Sequence, residues 1–137
     1  LGAAVALYGR KVIMNIILWV VQGLLALAFL LAGFMKATRP IDALSKRMAW
    51  VSTLPVAFVR FIGVAEVLGA IGLILPMVTD ILPWLTAAAA AGLVVVQASA
   101  IIFHLSRNEA RVVPGNAVLL LLAALVIIGR LAVAPVA

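Results

Sequence analysis

The chain has 137 residues, 68% of them hydrophobic and 10% charged, with a mean hydropathy of +1.37; a soluble domain of this length cannot hide so much apolar surface, and one membrane domain leaves no room for a soluble catalytic module. There is no cysteine and one histidine, His104, which excludes disulfide and CxxC redox chemistry, cysteine-ligated iron–sulfur or zinc sites, a haem held by two histidines of one chain, and a His-rich metal site. The net charge of +6 sits mostly at span ends, where anionic lipid headgroups account for it and nucleic acid is not needed.

Residues 1–13, with Tyr8, Arg10 and Lys11, show no helical pattern that continues into the first apolar stretch, and read as a leader or vector-derived extension ahead of a domain over 14–137. A bilayer core takes ~20 apolar residues as a helix, and Asn15–Met35 meets that length. No A-x-A site precedes a soluble domain, so this is a retained membrane span rather than a signal peptide. It closes at Gly33-Phe-Met-Lys36, and Pro40 prevents continuation. Ile41, Leu44, Met48 and Val51 then recur at helical spacing, with Asp42, Lys46 and Arg47 on other faces. That pattern predicts a short amphipathic helix in the interface with Trp50 at headgroup depth; an irregular loop is the alternative.

The second span is expected over 57–75, between Pro55 and Pro76, the third over 84–105 and the fourth over 116–134. The connectors Pro76–Pro83 and Ser106–Gly115 are short, so consecutive spans are antiparallel neighbours. The expected fold is an all-α, antiparallel four-transmembrane-helix bundle with a short interfacial helix between the first two spans. Side B, the face with loops 36–56 and 106–115, carries Lys36, Arg39, Lys46, Arg47, Arg107 and Arg111; side A carries Arg130 and, in the leader, Arg10 and Lys11. The bias puts side B in the cytoplasm and both termini outside.

Hydrocarbon cannot solvate a charge, so polar residues within spans face the interior and mark function. At 1.5 Å per residue, Glu66 and Gln97 lie about 13 Å from side B, Arg60, His104, Asn116 and Lys36 within about 5 Å, and Gln22 and Arg130 about 21 Å deep. Residues on different helices at one depth can meet, which pairs Gln22 with Arg130 near side A. Gln22, Phe29 and Lys36 form a stripe at intervals of seven, as do Gln97 with His104, and Asn116, Ala123 and Arg130. Arg60 and Glu66 are about 120° apart around their helix and need partners elsewhere.

Glu66 stands in Gly63-Val-Ala-Glu66-Val-Leu-Gly69-Ala-Ile-Gly72, where Gly63, Gly69 and Gly72 allow close helix packing against small residues of 87–92. It is either a neutral acid hydrogen-bonded to a group such as Gln97, or a carboxylate answered by Arg60 or a ligand cation. A polar pin fixing helix register is the bland alternative. His104 either caps a helix end or bonds a quinone-like ligand or lipid head. Arg60 and Arg130 either snorkel or bind anionic groups. Trp19, Trp50 and Trp84 read as aromatic-belt anchors.

Gly33-x-x-Lys36, Pro55-x-x-Phe58, Gly63-x-x-Glu66-x-x-Gly69-x-x-Gly72-x-x-x-Pro76, Phe103-His104, Asn116 and Gly129-Arg130, in this order, resemble the DoxX-like family of small four-helix membrane proteins over about Met14–Arg130. The resemblance implies the architecture, a bacterial inner-membrane address, and interest in Glu66 with Lys36, His104 and Asn116 at the side B mouth. Its members have been linked to thiosulfate:quinone oxidoreductase subunits, to membrane complexes answering oxidative stress and to a receptor-assembly chaperone.

Three functions are therefore weighed. The first is a non-enzymatic accessory subunit or assembly factor, binding a membrane-protein partner, lipid or quinone around Glu66, with homo-oligomerisation open. The second is a quinone-linked subunit of a membrane oxidoreductase, in which His104, Arg60 and Asn116 meet the quinone carbonyls; the chain lacks ligands for a redox centre of its own. The third is a proton-coupled transporter, disfavoured because the first span holds no acid and Glu66 lies among glycine and alanine.

Overall fold

A computed structural model describes residues 1–135, and its regular structure is helical throughout those residues. The elements are α1 (Gly2–Thr38), α2 (Ile41–Ser45), a 3-10 turn (Ala49–Thr53), α3 (Val56–Thr79), α4 (Leu85–Ser106) and α5 (Val113–Ile128), which runs on as a π turn over Gly129–Val133. Four helices, α1, α3, α4 and α5 with its π turn, are long and apolar enough to cross a membrane. α1 packs on α3, α3 on α4 and α4 on α5, and α5 closes the ring on α1.

The buried stripe of each helix follows its sequence period. On α1 it is Leu18, Gln22, Leu25, Phe29, Gly33 and Lys36; on α3 it is Val59, Gly63, Glu66, Ala70, Leu73 and Pro76. Steps of three and four keep such residues on one face. Leucines off the stripe, such as Leu24, Leu27 and Leu68, stand exposed, as lipid contact requires. The apolar centre is Leu25, Phe29, Ala70, Leu73, Ala90, Leu93, Ala123 and Val126, drawn from all four spans. The polar stripe members sit on either side of it, toward the two membrane faces.

Glycine sets the helix spacing. A methyl group on Gly63 would lie 2.5 Å from the Ala37 backbone nitrogen and 2.7 Å from the Gly33 carbonyl oxygen, so α1 and α3 touch backbone to backbone. Gly69 meets the Leu93 side chain and Gly72 meets Ala89, which seats α4 on the other flank of α3.

Four boundary expectations need correction. α1 starts at Gly2, not near Asn15, so residues 2–14 extend the first span as helix; its first buried residue is Leu18, so about 24 Å of helix precedes the buried stripe. α3 passes through Pro76 and stops at Asp80, whose φ of 56° closes the helix by returning the Ile81 N–H to the Pro76 carbonyl. Proline is tolerated within a membrane helix when neighbours satisfy the freed carbonyls. The fourth helix begins three residues early, at Val113, with Pro114 in its first turn. Finally, the stretch 41–51 is not one amphipathic helix but α2, a turn and the 3-10 turn. Leu44 and Val51 are buried against Val59, with Met35, Met48, Trp50 and Leu54 around them, so the loop folds onto the bundle.

Candidate functional site

A cavity of about 560 Å³ lies in the side B half, within the usual size of small-molecule sites. Lys36 from the end of α1 lines it, with Trp50 from the 3-10 turn, Phe58, Phe61, Ile62 and Glu66 from α3, Gln97, Ala100, Phe103 and His104 from α4, and Asn116 from α5. Phe58, Phe61 and Val95 line it and are also exposed on the outer surface, so it opens sideways between α3 and α4 toward lipid.

The close α1–α3 contact brings Lys36 to Glu66. Lys36 Nζ donates to Glu66 Oε1 at 2.8 Å and Oε2 at 2.9 Å, with both residues buried. Two buried charges persist together because each would be far more costly alone. Neither Gln97 nor Arg60 is the partner of Glu66, contrary to the sequence expectation. Arg60 turns away from the acid, and its Nη1 donates to the Lys36 carbonyl at 2.8 Å, satisfying one of the orphan acceptors at the end of α1. It does not line the cavity. The mouth and middle tiers of polar groups are therefore joined: lysine is long enough to span one helical turn, which a count of Cα depths does not register.

Gln97 is 4% exposed, and its Oε1 is buried without a partner; Asn116 Nδ2 is likewise buried and unpaired. Neither amide bonds to any described residue. Each such group forfeits about 1–3 kcal/mol unless something fills the need, and both residues line the same cavity.

His104 ends α4. Asn108, at φ 58°, turns the chain so that the Glu109 N–H reaches the His104 carbonyl at 2.9 Å, and Glu109 Oε2 then lies 2.7 Å from His104 Nδ1. Asparagine accepts this left-handed backbone readily. Arg107 Nε donates to Glu109 Oε1 at 3.0 Å. The hydrogen bond from His104 is the largest influence holding the Glu109 carboxyl below its ordinary range; desolvation opposes it, and the bond and charge of Arg107 lower it further. With Glu109 ionised, Nδ1 carries the hydrogen of that bond. Nε2 is left as the ring nitrogen without a protein partner among the described residues.

In the cavity wall Lys36 and Glu66 neutralise one another. Trp50 contacts Phe103 and His104 edge-on and lies 5.8 Å from Lys36 Nζ. It roofs the cavity instead of anchoring a belt. Trp50, Phe58, Phe61 and Phe103 thus share the cavity lining with Glu66, while Gly33 packs against it from α1. Trp84, by contrast, is exposed.

Near side A, Gln22 and Arg130 meet: Arg130 Nε donates to Gln22 Oε1 at 2.6 Å, and Nη1 donates to Asn15 Oδ1. Gln22 Nε2 donates to the Leu73 carbonyl at 2.6 Å, beside the place where Pro76 offers no N–H to Gly72. Arg130 is 1% exposed, with its guanidinium 5.4 Å from the Trp19 ring, so it does not snorkel. Its Nη2 is buried and unpaired, and Leu18 packs on Gly129 next to it.

Sequence reasoning missed Glu109, Trp50 and Asn15. Asn15 continues the Gln22–Phe29–Lys36 stripe by one more interval of seven and was findable. Glu109 was not, because its reach to His104 depends on one left-handed residue. Among the described residues, no three His, Cys, Asp or Glu side chains group closely enough to hold a metal ion.

No curated protein and no solved structure matches the chain closely enough to bring a function to this geometry. The model of the DoxX-like family matches residues 20–126, reaching from the first span into the fourth, and the chain therefore belongs to the DoxX-like family.

Proposed function

We propose that this integral membrane protein is a non-enzymatic accessory subunit or assembly factor, whose side B cavity binds the neutral polar head of a membrane-dissolved molecule. The observation that carries this is the pair of unpaired amides, Gln97 and Asn116, lining a cavity that opens to lipid. They supply donors and acceptors for carbonyl or hydroxyl groups, and His104 Nε2 adds a third point. Lys36 and Glu66 cancel one another, so the cavity has no spare cation for an anionic lipid head. The protein partners implied by an accessory role remain part of this proposal.

A second reading is favoured by the aromatic walls. Trp50, Phe58, Phe61 and Phe103 suit a flat ring, and the amides suit its carbonyls. The ligand would then be a quinone, and the chain a quinone-linked subunit whose electrons come from a partner. Solvent extraction and mass spectrometry of protein purified from native membranes test both readings. A retained neutral lipid or quinone, lost in the double variant Gln97→Leu/Asn116→Leu, is the expected result. Equal recovery from wild type and variant contradicts it.

The loops 36–56 and 106–115 are proposed to face the cytoplasm, on their excess of basic residues. The chain has no cysteine, so single Ser52→Cys and Asp80→Cys variants report the orientation. Only the latter should react with an impermeant maleimide in whole cells.

A further inference from the structure

A second hollow, of about 320 Å³, lies on the same flank of the bundle, between α3 and α4. Ala65, Leu68, Gly69, Ala89, Gly92 and Val96 border it, and Val96 also lines the cavity. From Val96 to Ala89 it follows α4 for about 10 Å. Its lining is apolar along its whole length. The glycines around it are not equivalent. Gly69 is filled by Leu93, which forms the floor, whereas a methyl group on Gly92 would meet nothing within 4 Å. Gly92 thus takes no part in helix packing, and its missing side chain leaves the hollow open. At the inner end stands Gln97, buried and unpartnered, next in sequence to Val96.

We infer that the cavity and this groove are one site, and that the ligand class is a neutral carbonyl-bearing head with an apolar chain that leaves past Val96 and lies between α3 and α4 against Gly92. The inference rests on the cavity reading given above and extends it from the head to the whole molecule. A chain along the groove keeps its apolar length in contact with protein, while its head satisfies Gln97 and Asn116. A ligand without a chain fills only the polar end. The charge balance at Lys36 and Glu66 sets the neutral head, and the apolar lining from Val96 to Ala89 sets the chain.

The test uses two probes sharing one head: a dimethoxy-methyl-benzoquinone without a chain and the same ring bearing a decyl chain. The full-length protein is placed in phosphatidylcholine nanodiscs. Binding is read from quenching of Trp50 fluorescence, with Trp50→Phe as the blank. Comparing variants in identical nanodiscs cancels partitioning of the decyl probe into lipid. Gly92→Phe should weaken the decyl probe by at least about tenfold and leave the chainless probe unchanged, while Gly92→Ala binds both as wild type does. Leu68→Phe, at an exposed position of the same groove, provides an independent block should Gly92→Phe fail to fold. If both blocks leave the ratio of the two probes as in wild type, the chain does not use the groove and the inference fails while the cavity reading stands. If neither probe quenches the wild-type protein above the Trp50→Phe blank, the cavity reading fails and takes the inference with it.

Discussion

At side A, Arg130, Gln22 and Asn15 use most of their hydrogen bonds on one another and on the Leu73 carbonyl, leaving Arg130 Nη2 unpaired, with Trp19 and Leu18 packed beside them. At side B, Lys36 and Glu66 pair in the same way, but Gln97 and Asn116 stand beside them with nothing to bond and a cavity in front. Both clusters are inward-facing polar groups of similar chemistry in the same bundle. They differ in how far the protein completes its own bonding: each side A side chain has at least one protein partner, whereas the amides of Gln97 and Asn116 have none among the described residues. A cluster bonded mostly within itself fixes how helices register; one left open beside a cavity is a candidate site. On the proposed reading the bundle has a structural end and a receptive end.

The largest expected effect tests the pair at the receptive end. Glu66→Ala leaves Lys36 buried without a counter-charge and should cost about 3–5 kcal/mol, read as unfolding in mixed micelles. The paired change Lys36→Met/Glu66→Leu removes both charges and should recover most of that loss. If the double variant is as unstable as the single one, the ion pair is not what Glu66 contributes. Glu109→Ala, which removes a half-exposed loop charge, should be milder than Glu66→Ala.

Next comes the packing that places Lys36 near Glu66. Gly63→Ala puts a methyl group 2.5 Å from the Ala37 nitrogen, which backbone cannot yield cheaply, and should cost about 1–3 kcal/mol. Gly23→Ala, with nothing within 4 Å of its methyl group, should be neutral or stabilising by up to about 1 kcal/mol. Equal thermal stability of the two variants argues against backbone contact between α1 and α3.

The smallest effect is at the rim. Because His104 and Arg107 depress the Glu109 carboxyl below its ordinary range, its ionised form adds stability above the unfolded carboxyl value of about 4.3 and loses it as pH falls through the lower folded value. The difference in melting temperature between wild type and Glu109→Gln should be present at neutral pH and vanish in acid. A gap that does not shrink as pH falls below the unfolded carboxyl value of about 4.3 would show that His104 does not depend on that charge.

Much of this arrangement was legible in the sequence. Span positions came from length and hydropathy, and the intervals of seven put Gln22, Lys36, Gln97, His104 and Arg130 on buried faces, where they lie. The Gln22–Arg130 meeting came from common depth. What stayed hidden depended on side-chain reach and on turns. Lys36 crosses a helical turn to meet Glu66, so tiers drawn at Cα height assigned the wrong partner. Trp50 looked like an interfacial anchor because its stretch is amphipathic, yet Val51 is pulled under the bundle with Val59 and carries the ring over the cavity. Pro76 looked like a stop, but a membrane helix carries proline until a capping residue, here Asp80, ends it. The extension of α1 was hidden because residues 2–17 have no buried face to impose a pattern.

The central claim is that side chains of one type serve opposite purposes at the two ends, and matched amide-to-leucine changes test it most directly. In a single experiment, Gln22→Leu and Gln97→Leu are compared for melting temperature and for neutral lipid or quinone retained on purification. Gln22→Leu strips a partner from buried Arg130 and should cost about 1–3 kcal/mol with retention unchanged in the folded fraction. Gln97→Leu removes an unsatisfied group and should melt at or above wild type while retention falls. A Gln97→Leu protein that melts lower and keeps its full complement of ligand would contradict the account.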